Sequence, residues 1–166
     1  MWESLRPFMA RACSRVAPRM IADVAIADLP DVAALIERAV ARSVDAPDEE
    51  KAEYRANIAR NLAWWRDHGD EAVHLKFSDG GALAGVVLVK EHWNLCHLFV
   101  DPASQRRGIG TALVKEAIAR CRGRSPRGRL RLNAARNAVP FYEALGFTRV
   151  TDAPAPFAGM QFDYLL

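Results

Sequence analysis

Residues 98–111 read Leu-Phe-Val-Asp-Pro-Ala-Ser-Gln-Arg-Arg-Gly-Ile-Gly-Thr. An apolar, strand-like run stops at Asp101-Pro102. A donor-rich loop follows with Gln105, Arg106, Arg107, Gly108 and Gly110, and Thr111–Arg120 continues with helical spacing. Strand, glycine loop and helix start in that order form an anion cradle. Small residues let the backbone approach a phosphate, several N–H groups point one way, and the helix dipole favours negative charge.

The flanks extend this into a mixed α/β pattern. Upstream, Met20–Ala25 reads as a first strand, and Asp28-Leu-Pro-Asp31 starts a helix whose apolar stripe is Val32, Leu35, Ile36, Ala39 and Val40. Pro47 opens a second helix that Gly69 ends. Val73–Phe77 and Leu83–Val89 read as strands joined by Ser78-Asp-Gly-Gly81, a hairpin signal, and Trp93–Val100 is the next strand. Downstream of the Thr111–Cys121 helix come a strand at Arg129–Asn133, a short helix at Asn137–Leu145 stopped by Gly146, and strands at Phe147–Val150 and Met160–Leu165. Hairpins early and crossovers late describe one mixed α/β domain.

Composition sets outer limits. At 166 residues, 51% apolar and 26% charged, the chain has the size and make-up of a single soluble domain with one sizeable core. No apolar run approaches the ~20 residues of a membrane span. The net charge of +3 is unevenly spread. Between Ala103 and Tyr142 stand Arg106, Arg107, Lys115, Arg120, Arg122, Arg124, Arg127, Arg129, Arg131 and Arg136, against the single acid Glu116. That half suits a polyanionic ligand, with a solvated arginine face as the alternative for several of these residues. Cys13, Cys96 and Cys121 show neither a C-x-x-C pair nor zinc spacing, so they read as reduced thiols of a cytoplasmic protein. Residues 1–18 are arginine-rich and acid-poor and read as an N-terminal extension outside a domain spanning 19–166. A targeting segment, a translation start placed too early and a loosely docked arm are the readings for it.

Two motifs then stand together: Gln105-Arg-Arg-Gly-Ile-Gly110 after Val100-Asp-Pro102, and Asn133 followed by Asn137-Ala-Val-Pro-Phe-Tyr-Glu-Ala-Leu-Gly-Phe147. The pair resembles the GNAT superfamily of acyl-CoA-dependent N-acetyltransferases, in element order from Met20 onward and most sharply across Leu98–Phe147. The resemblance implies an α+β fold with a central, mostly antiparallel sheet of six to seven strands, one splayed strand pair and about four flanking helices. It also implies that acetyl-CoA is the cosubstrate and that no metal is needed.

Residue by residue, the resemblance puts the pyrophosphate of coenzyme A on the backbone of Arg106, Arg107, Gly108, Ile109, Gly110 and Thr111, with Gln105 beside it. The pantetheine arm lies along Leu98, Phe99 and Val100. The Leu98 N–H faces the thioester oxygen, a donor placed where negative charge develops. Tyr142 matches a tyrosine beside the thioester sulfur that donates a proton to the departing thiolate. Asn133 and Asn137 match positions that contact pantetheine or nucleotide, with helix capping as the alternative for Asn137. The arginine cluster Arg120–Arg136 is expected at the nucleotide end of the cofactor.

The amine must lose a proton before it attacks, and the family's carboxylate or histidine base on the Val100 strand has no match. Asn94 and Cys96 stand there instead. Glu91, His92, Asn94, His97 and a water relay remain open, with His97 expected on the opposite strand face from Cys96 by parity. Trp64, Trp65, Trp93, Tyr54 and the acids from Asp45 to Glu53 are candidates for an acceptor pocket, in which aromatic and acidic walls would suit a cationic amine. The expected reaction is direct transfer of acetyl to a primary amine in a ternary complex. A small-molecule acceptor stands first and a protein lysine or N-terminal amine second. A non-catalytic acyl-CoA-binding module and an RNA-directed enzyme are rivals, and a homodimer is compatible with the sequence.

Overall fold

The computed structural model describes residues 18–44, 47–151 and 161–166. The seven strands are β1 (Met20–Asp23), β2 (Ala72–Asp79), β3 (Ala82–Lys90), β4 (Asn94–Val100), β5 (Arg129–Asn133), β6 (Thr148–Arg149) and β7 (Gln161–Leu165). The four α-helices are α1 (Leu29–Ser43), α2 (Asp48–Asp67), α3 (Ile109–Cys121) and α4 (Val139–Ala144). Met160, expected to open the last strand, lies outside the described residues, as does Asp45 of the expected acidic wall.

The strands form one sheet in the order β1-β2-β3-β4-β5-β7-β6. Every neighbouring pair is antiparallel except β4 and β5. That parallel pair meets at a single register position, Asn94 opposite Arg131, sealed by the Arg131 N–H donating to the Trp93 carbonyl at 2.7 Å. From there the two strands follow different partners. β4 stays paired with β3 as far as Val100 opposite Gly85, while β5 pairs along its length with β7. The expected splayed pair is β4 and β5, with its point at Asn94.

Helices cover both faces. Val32, Leu35, Ile36 and Val40 of α1, with Ile58 and Trp65 of α2, bury Val86, Leu88 and Phe99. On the other face Leu113, Val114 and Ala117 of α3 and Tyr142 of α4 bury Leu75, Val87, Val89, Leu130 and Phe162. Each cluster follows the period of its element, 3.6 in the helices and 2 in the strands. Gly85 sets how closely α3 approaches. A Cβ there would stand 2.9 Å from Ile109 Cγ2 and 3.2 Å from the Phe99 carbonyl, so only glycine lets the first turn of α3 press onto β3.

Two hairpins differ in how they turn. Asp79 pairs with Ala82, and the two-residue turn is Gly80-Gly81, both left-handed, as a tight hairpin requires. The β3–β4 turn places Glu91 and His92 at φ of 50° and 57°. Neither residue is a usual turn former, so the sequence gives no signal for it. Trp93 braces it, donating from Nε1 to Glu91 Oε2 at 2.9 Å beneath the Arg127 guanidinium, 3.6 Å from the indole centroid.

Candidate functional site

The glycine loop begins where β4 ends. Asp101 Oδ1 accepts the Ala103 N–H at 3.0 Å, and Asp101 Oδ2 takes Arg38 Nε and Nη2 at 2.9 and 2.7 Å. Burial raises the pKa of this carboxyl, but the Arg38 guanidinium and the Ala103 N–H outweigh it and hold the pKa below the ordinary value. The root of the loop is thereby tied to α1. Beyond it the backbone turns left-handed twice, at Arg106 (φ 61°) and Gly108 (φ 77°).

Gly108 is the N-cap of α3, and no side chain caps the helix. The first helical bond runs from the Ala112 N–H to the Gly108 carbonyl, leaving the N–H groups of Ile109, Gly110 and Thr111 at the helix start without helical acceptors. The cradle read from the sequence is present in this form. The two glycines do separate work. A Cβ on Gly108 would meet nothing within 4 Å, so its role is conformational, whereas a Cβ on Gly110 would stand 3.3 Å from Phe141 Cζ. Gly110 is small because α4 packs there.

The side chains near the loop are more committed than expected. Arg107 reaches Asp79 at 2.6 Å, and its carbonyl accepts from Arg19. Gln105 Nε2 donates to Ser43 Oγ at 2.8 Å, and Asn137 Nδ2 donates to the Ser43 carbonyl at 2.9 Å. Both therefore fasten the end of α1 across the open mouth of the splay. Asn137 caps nothing; the N-cap of α4 is Ala138. Asn133 ends β5 opposite Gln161 with its side chain exposed. Arg106 makes no ion pair or side-chain hydrogen bond among the described residues.

Tyr142 stands on the α3/α4 face, 7% exposed, with its ring edge-on to Phe141 and Phe147. No described residue hydrogen-bonds its hydroxyl. Burial pushes its pKa up, with a smaller contribution from Tyr54, so the phenol keeps its proton at neutral pH. On β4, Leu98 lies opposite Val87, and Leu98 and Val100 pack half-buried toward α3 while Phe99 faces the opposite core.

The parity expected for His97 fails at a bulge. Val89 pairs with Leu95 but Leu88 pairs with His97, so Cys96 is the extra residue. Cys96, His97 and Phe99 all lie toward α1 and α2, since His97 is opposite Leu88 and stacks toward Phe99. His97 is 2% exposed and lies 5.9 Å, ring to ring, from His74, which is 3% exposed. The ring nitrogens of both lack hydrogen-bond partners among the described residues. Burial drops the pKa of His74 to about 4 and of His97 to about 3, so both are neutral at physiological pH. Cys96 is likewise inert, its thiol pushed up to about 11 by burial.

Two further expectations are corrected. Arg120 to Arg131 of the arginine cluster do not flank the glycine loop, and Arg136 alone stays on that side, beside Asn137, which shares Ser43 with Gln105. Arg124 and Arg127 follow the C-terminal end of α3, about 20 Å along the helix from its start. There they border an open cavity of about 570 Å³ with Asp70, Glu71, Glu91 and His92. Arg129 and Arg131 share the one carboxylate of Asp163, and Arg120 pairs with Glu116 and Asp23. Glu91 and His92, two of the proton-acceptor candidates, line that cavity together with Trp93, away from the glycine loop.

The aromatic cage is also filled from within. Lys90 Nζ stands 4.4 Å from the Trp64 ring centroid, with His68 stacked on Trp64, Arg127 on Trp93 and His74 edge-on to Trp65. Glu49, Glu50 and Glu53 of the acidic run are exposed, and Glu53 pairs with Arg60. Lys90, Asn61 and Ser43 are residues the sequence reading passed over. Single polar residues inside strand and helix patterns carry no signal of their own there.

The comparisons with known proteins agree with this fold. A family model described as an acetyltransferase (GNAT) domain matches residues 43–163. A GCN5-related N-acetyltransferase from Rhodopseudomonas palustris superposes with a TM-score of 0.73 at 19% identity, over 91% of this chain and 98% of that one. The PaiA N-acetyltransferase from Thermoplasma acidophilum, in complex with coenzyme A, gives 0.65 at 17% identity over 88% and 96%. A GNAT acetyltransferase from Brucella melitensis, in complex with acetyl-CoA, gives 0.60 at 18% identity over 87% and 95%. These likenesses extend the shared fold to nearly the whole chain, and with 121 of its residues matched by the family model, the chain belongs to the GNAT acetyltransferase family.

Proposed function

We propose that this acetyltransferase moves an acetyl group from acetyl-CoA directly to the primary amine of a small molecule, with both substrates bound together. The observation that carries the reading is one juxtaposition. The uncapped start of α3 lies beside the end of β4, which has no partner strand on its β5 side beyond Asn94, and α4, which carries the buried and unpartnered Tyr142, packs on that helix start through Phe141 against Gly110. Each part fits a piece of the cosubstrate. N–H groups at a helix N-terminus suit a pyrophosphate. A strand side without a partner suits the amides of a pantetheine arm, as an added strand would. A protonated phenol suits a departing thiolate.

Acetyl-CoA, when bound, supplies the activated thioester. The chain's own residues then have distinct tasks. Arg106 to Thr111 hold the phosphates, chiefly by backbone, while Gln105 and Asn137 exchange Ser43 for the ligand or keep the mouth shaped around it. The Leu98 N–H stabilises charge on the carbonyl oxygen. Tyr142 gives its proton to sulfur. The balance is simple: an ammonium and a thioester become an amide, a thiol and one released proton. The C–N bond forms as the C–S bond breaks.

His97 faces the acceptor side but is buried and holds a proton weakly, so the amine's proton leaves through water. Among the described residues no helix is long and apolar enough to cross a membrane. The test is thiol release from acetyl-CoA with amines, peptides and RNA as acceptors, after calorimetry of acetyl-CoA alone. Release with small amines is the expected result. Failure to bind acetyl-CoA at high micromolar concentration contradicts the reading, and release with peptide or RNA alone reassigns the acceptor.

A further inference from the structure

We infer that the acceptor is an amine that also carries a carboxylate, of the amino-acid class, and that Lys90 anchors that carboxylate. The inference rests on the acetyl-transfer reading above and narrows its substrate.

The wall that faces α2 at the point of the splay is cationic. Lys90 closes the β3–β4 hairpin opposite Asn94, the residue at which β4 and β5 part. Its side chain lies along α2 with the ammonium over Trp64, and its only side-chain hydrogen bond is a long one, 3.4 Å, to Asn61 Oδ1. Asn61 is itself 9% exposed. No described carboxylate pairs with Lys90. The ammonium is held by a ring face and one long amide contact and has no anionic partner among the described residues, so it is open to a carboxylate.

Charges elsewhere on α2 lead to the same choice. Lys51, one turn before Tyr54 on the same side of α2, is half-buried without an ion pair among the described residues. The acids of that helix turn outward: Glu49, Glu50 and Glu53 are exposed, and Arg55 leaves the helix for Glu37. Glu91, the nearest acid in sequence to Lys90, is engaged by Trp93 Nε1. A bare cation would find its aromatic seats occupied by lysine and arginine. An amine bearing a carboxylate would find a free ammonium.

Tyr54, on the same helix, meets the Phe99 ring edge-on at 6.0 Å, and its hydroxyl has no partner among the described residues.

The experiment compares matched acceptors with and without the carboxylate: L-phenylalanine against phenethylamine, L-lysine against cadaverine, 4-aminobutyrate against butylamine. Wild type should favour the carboxylated member by roughly tenfold to a hundredfold in kcat/KM, the range of one charge-assisted hydrogen bond. Lys90→Met should collapse that ratio toward one through KM, and Lys90→Arg should restore most of it. Binding gives an independent readout on the unaltered protein. With coenzyme A present, N-acetyl-L-phenylalanine should bind at least about tenfold more tightly than N-acetylphenethylamine by calorimetry. Equal or better turnover of the carboxylate-free amines, or equal binding of the two products, overturns the inference while acetyl transfer stands. Binding of acetyl-CoA without release to any amine overturns the transfer reading and this one with it.

Discussion

The two faces of the sheet settle their charges differently. On the α3/α4 face, the glycine loop leaves donors open. The start of α3 has no cap, Arg106 has no partner among the described residues, and both Arg106 and Gly108 adopt left-handed backbone to aim the loop. On the α1/α2 face, the aromatic rings are covered by the protein's own cations, Lys90 on Trp64 and, beyond the sheet's end, Arg127 on Trp93. One face offers main-chain donors and the other charged side chains. Backbone donors suit an invariant ligand portion such as a pyrophosphate. Side chains suit the partner that differs from one enzyme of this fold to another.

The sharpest way to break this contrast is at Tyr142, which belongs to the first face and is the proton donor of the proposed reaction. Tyr142→Phe should lower kcat for acetyl transfer by about a hundredfold while acetyl-CoA affinity moves by less than about twofold. An unchanged rate in steady-state thiol release removes Tyr142 as the proton donor.

The second face carries an acid sensitivity that the first lacks. His74 and His97 are buried neutral, with folded pKa values of about 4 and about 3, below the ordinary value of 6.5. Unfolding lets them take up protons, so the stability that goes with their neutrality is present above pH 6.5 and is lost as pH falls toward those folded values. Near pH 5 each should have lost roughly 2 kcal/mol. Denaturant midpoints followed from pH 7 to 5 should fall steeply for wild type and much less for the His74→Gln, His97→Leu double variant. Parallel slopes contradict the burial argument.

Two smaller effects separate the ends of α3. Gly108→Val forces a β-branched residue into left-handed backbone. It should weaken acetyl-CoA binding by about tenfold and cost ~1–3 kcal/mol of stability, measured by calorimetry and denaturation. Arg127→Ala, at the opposite end, should change acetyl-CoA affinity by less than about twofold. A large loss there would return the arginine cluster to the cofactor.

Legibility in the sequence followed the same division. The cradle was readable because Gly108 and the strand-to-helix junction encode backbone geometry locally, and the second motif places Tyr142 at a fixed offset on α4. Composition says nothing about direction, so it does not separate Arg122 to Arg129 from the loop. Arg122 to Arg129 are close to the loop in sequence, but α3 carries them to its far end. Strand parity alone puts His97 on the wrong face because one inserted residue, Cys96, reverses it, and a bulge leaves no local mark in Leu-Cys-His. The cage failed for a third reason. Whether an indole face is free depends on Lys90 and Arg127, which are distant from Trp64 and Trp93 along the chain.

The central claim, that the splay of β4 and the start of α3 hold the cosubstrate by main chain, is tested most directly by amide chemical-shift perturbation on adding coenzyme A. The account predicts the largest shifts at residues 96–100 and 106–111, with residues 122–129 still. Shifts concentrated at 122–129, or absent from the 106–111 amides, would contradict it.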